Sequence, residues 1–162
     1  MDSQIENLSM SELDQIDLKL LELLQQSGKL TTKEIARHVN LSPTPVYERV
    51  RRLEREGIIK KYVALVEAEK VGKGLIVFCD ITIKEHTKEI GHQFVQDIMA
   101  SKYVSECYNI SGNYDFRLKV MVRDMKHYQD FVLNDLGSIK NIGSAHSTFV
   151  MGVIKHDYAV PI

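Results

Sequence analysis

Cysteine is scarce in this chain: there are two, Cys79 and Cys107, in separate strand-like stretches. Two isolated thiols do not make a disulfide scaffold, and a reduced, buried thiol is the commoner state for such residues in an intracellular protein. Long hydrophobic runs are missing as well. The longest, Leu75 to Cys79, falls far short of the roughly 20 residues that a membrane helix needs, so no membrane partner is expected. The first residues, Met1 to Glu12, are polar and acidic. They lack the basic start and apolar stretch of a secretory signal, which makes the cytoplasm the expected compartment. Six histidines show no HxxxH, HxH or CxxC spacing, so neither a metal nor another cofactor is expected. Nor does any GxSxG, HExxH, glycine-rich phosphate loop or paired-carboxylate motif collect the serines, histidines and acids. An enzyme is therefore not expected.

Charge of one sign is also lacking, since the formal net charge is −1, but its distribution is uneven. Residues 1–28 hold one base against six acids, a net of −5. Residues 29–62 hold nine bases against four acids, a net of +5. A basic block inside a neutral protein fits a polyanion-binding face, although charge alone fits a solvated helix surface equally well.

The periodicity around that block predicts three short helices. Leu13, Ile16, Leu20, Leu23 and Leu24 recur at helical spacing from about Glu12 to Gln26, with Ser27 and Gly28 as the stop. Thr31 and Glu34 have the spacing of a capping box for a second helix, with Ile35 and Val39 on its inner face. Asn40 suits a left-handed exit. Ser42 and Pro43 then open a third helix as N-cap and first residue, and Pro45 is tolerable in a first turn. Val46, Val50 and Leu53 face inward on it. At about 100° per residue, Thr44, Glu48, Arg51, Arg52 and Arg55 gather opposite, with Tyr47 and Arg49 on the flanks. Gly57 ends this helix, and Ile58 to Val66 reads as an extended, basic wing carrying Lys60 and Lys61. Three helices, a tight turn and a wing describe a winged helix-turn-helix over residues 12–66. Its second helix crosses phosphates while the third lies in the major groove, and arginine forks grip phosphate or guanine. A helix-turn-helix can also serve as a protein-interaction module, and the arginines favour DNA.

Glu67 to Gly74 is polar, glycine-bearing and aperiodic, and reads as a hinge. Beyond it, residues 75–157 alternate strand and helix in the order βαββαβ, a ferredoxin-like sandwich, so the whole chain is of the α+β class. Expected strands run over Leu75–Lys84, Tyr103–Ile110, Phe116–Arg123 and about Ala145–Lys155. Expected helices run from Thr87 to Ser101 and from Asp124 to Gly137. Two helices cover one face of such a sheet, and the other face is expected to bury itself against a second copy.

The strings LDQIDLKLLELLQQSGKLTTKEIA, LSPTPVYERVRRLEREGIIKKY and SGNYDFRLKV resemble the Lrp/AsnC family of transcription regulators, along nearly the whole chain. The resemblance implies a sequence-specific DNA-binding regulator with an AsnC-type second domain that dimerises through its sheets. It also implies assembly into higher rings such as an octamer, and an amino acid effector. The residues expected at double-stranded DNA are Thr32, Lys33, Ser42, Pro43, Thr44, Tyr47, Glu48, Arg49, Arg51, Arg52, Lys60 and Lys61. Ser111 to Asp115 matches the family's turn between the second and third strands, where threonine is usual in place of Ser111. Amides around Gly112 and Asn113 would take the effector carboxylate, Asp115 its ammonium group, and Tyr114 would form a wall. Ser147 and Thr148 would contribute from a second protomer. By composition alone the same residues make an ordinary β-hairpin turn. An architectural DNA-compacting protein of this fold, without an effector, is the alternative.

Overall fold

A computed structural model describes residues 13–162. The acids of residues 1–12, including the expected helix start at Glu12, lie outside the described residues. Helix α1 spans Gln15–Gln26, α2 Thr32–His38 and α3 Pro43–Arg55. Side chains close each of the first two helices at the N-terminus. Asp14 accepts from the Asp17 amide while Asp17 accepts from the Asp14 amide, so α1 begins at an acid pair. Thr31 and Glu34 form the expected reciprocal box. Asn40 takes the left-handed conformation at φ 53° and Gly57 at φ 73°, which turn the chain after α2 and α3. Ser42 stands at the N-cap of α3 with Pro43 following, but its hydroxyl makes no capping bond. Leu20, Leu23, Ile35, Ala36, Val46 and Leu53 fill the core between the three helices.

The wing departs from expectation. Ile58 and Ile59 pack on this core, and the Ile59 amide donates to Leu53 O at 3.0 Å. Residues 60–66 then form no helix and pair with no strand among the described residues. A strand exists only as a ladder, and none of the described residues offers one. Val63, Leu65 and Val66 consequently stand exposed.

The chain divides into two compact units, one ending at Leu65 and joined by the tail Lys155–Ile162, the other Val66–Ile154. The tail joins the first unit through Gln25, whose side chain exchanges two hydrogen bonds with the Val160 backbone. The expected hinge contains one local element. Glu69–Val71 form one 3₁₀ turn ending at Gly72 with φ 68°.

The second unit holds strands β1 (Leu75–Ile83), β2 (Val104–Asn109), β3 (Phe116–Val122) and β4 (Ile142–Phe149), with α4 (Lys88–Ala100) and α5 (Met125–Asp130). The strand order is β2-β3-β1-β4, and every pair is antiparallel. This is the ferredoxin-like arrangement. Two elements differ from expectation. Helix α5 does not run smoothly to Gly137; it widens into a π turn over Phe131–Asp135 and tightens into a 3₁₀ turn over Leu136–Ser138. The last strand starts and ends earlier than expected, because Asn141 at φ 66° turns the chain into it and Phe149 is the last residue in register with β1.

Register sorts the sheet faces. Val77, Cys79, Ile81 and Ile83 of β1 share the helix-covered side with Phe116, Leu118, Val120 and Val122 of β3, all buried. Phe94 and Ile98 of α4, Tyr128 of α5 and Phe131 close over them. The opposite face carries Ile76, Phe78, Asp80 and Thr82 from β1 beside Lys119 and Arg117 from β3. Two ion pairs cross it: Arg117 grips Asp80 in two-point fashion at 2.7 and 2.9 Å, and Lys119 meets Glu106 at 2.8 Å.

Candidate functional site

The first site lies on α3. Its outward side carries Thr44, Glu48, Arg51 and Arg55, all exposed, and Tyr47 stands half-exposed on one flank. Among the described residues Arg51 meets Glu54, at 3.4 Å. Lys33, Lys60 and Lys61 are exposed and enter no ion pair among the described residues, while Thr32 is half-buried at the start of α2. Ser42 and Pro43 are exposed at the N-terminus of α3, where helix amides and dipole favour an anion. Most of the expected DNA residues are thus exposed, each on its own element.

Arg49 and Arg52 behave differently. Arg49 Nη1 donates to Asp14 at 2.7 Å and to Asp17 at 2.9 Å, and Arg52 Nη2 donates to Asp17. Asp17 is buried, with 1 % of its side chain exposed. The hydrogen bonds to Asp17 hold both guanidiniums protonated above their usual range, and for Arg49 Asp14 adds to this. The Asp17 amide, then Arg49, hold the Asp14 carboxyl below its usual range. These two arginines tie α3 to the first turn of α1, a task that the sequence reading did not assign to them. The acids at positions 14 and 17 have the spacing of a capping box, and that spacing was the signal by which they could have been found.

The second site is the turn between β2 and β3. Asn109, Ile110, Ser111, Asn113, Tyr114 and Arg117 line an open depression of about 600 Å³. Gly112 reaches φ 119°, which a side chain would strain, and Tyr114 stacks over His146 with ring centroids 6.2 Å apart. Asp115 is absent from this lining. Its Oδ2 accepts from the Ile83 amide at 2.8 Å, and its Oδ1 lies 2.9 Å from His86 Nε2. Its backbone accepts from Ile110 and from the Asn109 side chain. The Ile83 amide, then His86, lower its pKa. The expected free partner for an ammonium group is thus already a brace between β3 and the end of β1.

Ser147 also departs from expectation. It pairs with Cys79 across the strands and bonds the Tyr128 hydroxyl, so it faces the helix-covered core. Burial pushes the Tyr128 hydroxyl up to about 12 and raises the Cys79 thiol. Side chains alternate along a strand, so Thr148, its neighbour, points to the open face opposite Phe78.

A helix-turn-helix head with a basic outward face, followed by a ferredoxin-like domain with an open turn pocket, defines a DNA-binding regulator with a separate ligand-binding module. The comparisons with known proteins agree. Residues 13–60 match the family model for a winged helix-turn-helix DNA-binding domain, and residues 76–160 match that of the Lrp/AsnC ligand binding domain. The chain is 38 % identical over 150 residues to the DNA-binding transcriptional activator DecR of Escherichia coli, covering 93 % of this chain and 99 % of that one. It is 35 % identical to the leucine-responsive regulatory protein of the same organism, over 89 % of this chain and 88 % of that one. A Neisseria meningitidis transcriptional regulator, solved as its complex with L-Met, superposes with a TM-score of 0.88 at 35 % identity, covering 92 % of this chain and 96 % of that one. This chain belongs to the Lrp/AsnC family of DNA-binding transcription regulators. No helix among the described residues is long and apolar enough to cross a membrane.

Proposed function

We propose that this protein is a cytoplasmic, non-enzymatic, sequence-specific regulator that binds DNA as a homodimer or a larger ring and responds to an amino acid. The observation that carries the DNA reading is the exposed face of α3, with Thr44, Tyr47, Glu48 and Arg51 directed outward. Ser42, Pro43, Thr32 and Lys33 serve phosphates beside it, and Lys60 and Lys61 serve the flanking backbone. Residues 12–66 act as the head and 67–74 as the hinge, and the domain from 75 onward assembles the protein. Its open sheet face, with half-buried Ile76, Phe78 and Met121 among neutralised ion pairs, suits burial against a second copy. The effector occupies the depression at Asn113 and Tyr114, with the amide of Gly112 and, from a second protomer, Thr148. Asp115 keeps spare lone pairs for an ammonium group while bracing the sheet. The L-Met bound to the Neisseria relative supports an amino acid as the class of effector.

The prior commitment of Asp115 to Ile83 and His86 favours a second reading, an architectural DNA-binding protein without an effector. Screening the twenty amino acids by thermal shift, with and without DNA, separates the two. A ligand that binds only the folded protein raises the melting temperature by mass action. No shift with any amino acid at millimolar concentration would leave the architectural reading standing.

A further inference from the structure

We infer that Asp17 is a specificity-determining residue for DNA binding: it withholds Arg49 and Arg52 of α3 from the DNA backbone and fixes that helix on the head. Four charged groups meet at one point. Asp14 and Asp17 come from the first turn of α1, and Arg49 and Arg52 from the side of α3 that turns toward it. Their formal charges sum to zero. Asp17 is buried and accepts from both guanidiniums at once, one on each carboxylate oxygen. Asp14 is half-exposed and reaches Arg49 alone. On the outward side, Arg51 and Arg55 keep 63 % and 75 % of their side chains exposed and meet only weakly placed glutamates at 3.4 and 4.0 Å. The cluster therefore divides the arginines of α3 into two held and two presented.

The division matters because the two kinds of DNA affinity have different origins. Sequence-independent binding grows with each mobile cation that reaches a phosphate. Base readout instead requires the reading helix to be held within about 0.5 Å of its productive place. Two guanidiniums released beside a duplex would strengthen the first and blur the second. A buried carboxylate escapes the salt screening that would loosen a surface pair, so the restraint persists at cellular ionic strength. Arg49 and Arg52 keep about a third of their side chains exposed, so on losing Asp17 both can turn toward solvent.

The test is Asp17→Asn in the full chain, which keeps the shape but removes the charge and turns one of the two acceptor oxygens into a donor that no guanidinium can pair with. Two probes are needed: duplexes selected by the wild-type protein from a random pool, and poly(dI-dC). The wild-type protein is expected to favour the selected duplex. In the variant, affinity for poly(dI-dC) should rise several-fold, and its log K against log salt plot should steepen by about 0.9 for each arginine released. The ratio of selected to non-specific affinity should fall about tenfold or more. A purely structural Asp17 would lower the melting temperature and weaken both affinities by one factor, with the salt slope unchanged; that result overturns the inference. If Asp17→Asn does not fold by circular dichroism, Asp14→Asn carries the test. Asparagine caps a helix as well as aspartate does, and this change releases Arg49 in part, so a smaller change of the same sign is expected. An unchanged ratio and slope in that variant overturns the inference equally.

Discussion

Replacing Asp115 asks whether the turn pocket owes its shape to a brace or keeps a carboxylate for a ligand. Two bonds are at stake. The bond from the Ile83 amide at 2.8 Å is half-buried at the end of β1. The contact with His86 involves a histidine that is 67 % exposed, so solvent screens most of it. Asp115→Asn keeps an oxygen for the Ile83 amide but turns a charge-assisted bond into a neutral one, a loss of about 1 kcal/mol. Asp115→Ala removes the acceptor and leaves that amide unsatisfied, a loss of about 2–3 kcal/mol. For a unit the size of Val66–Ile154, each kcal/mol moves the melting temperature by about 4–8 °C. The alanine variant should therefore melt roughly 8–24 °C lower and the asparagine variant roughly 4–8 °C lower, both without ligand. The pH dependence is fixed by the same bonds. The folded pKa of Asp115 lies below its ordinary 3.8, so its stabilisation is complete above that value and is lost as pH falls through the folded pKa. The asparagine variant should lose this acid limb while the wild-type protein keeps it. Calorimetry of the three proteins between neutral and acidic pH reads both effects. An alanine variant that melts with the wild-type protein would refute the bracing role. Amino acid titrations of the asparagine variant show separately whether the carboxylate also serves a ligand: affinity then falls about tenfold, the equivalent of about 1.4 kcal/mol.

Two further outcomes follow from the geometry. Arg51→Ala removes an exposed cation from the outward face of α3. It should cost about 1–3 kcal/mol of DNA affinity if the guanidinium reads a base, or reduce the salt slope by about 0.9 if it meets a phosphate. Binding titrations across a salt series decide, and unchanged affinity with unchanged slope would refute the assignment. Leu118 is fully buried between β1 and β2 on the helix-covered side. Its replacement by alanine should destabilise the second unit by about 2–5 kcal/mol, and a urea denaturation loss under about 1 kcal/mol would contradict this packing.

Much of this molecule was written locally. The capping box at Thr31, the left-handed exit at Asn40 and the Ser42–Pro43 start of α3 each depend on neighbours within four residues, so the helix-turn-helix was legible from spacing. The alternation of Phe116, Leu118, Val120 and Val122 likewise named the buried side of β3, because a strand has a period of two. Other features needed the folded chain. The wing between residues 60 and 66 has the composition of a strand but finds no partner strand among the described residues, and no stretch of sequence carries its own ladder. Ser147 and Thr148 differ by one position, yet the register Cys79↔Ser147 sends one inward and the other outward. Arg49, Arg51 and Arg52 look alike in the string and are all cationic. Only the approach of α1 to α3, some 32 to 35 residues apart in the chain, separates the pair held on Asp17 from the arginine left exposed. Hydrophobic period and capping are properties of adjacent residues, whereas the partner of a charged side chain is decided by whichever distant segment packing brings beside it.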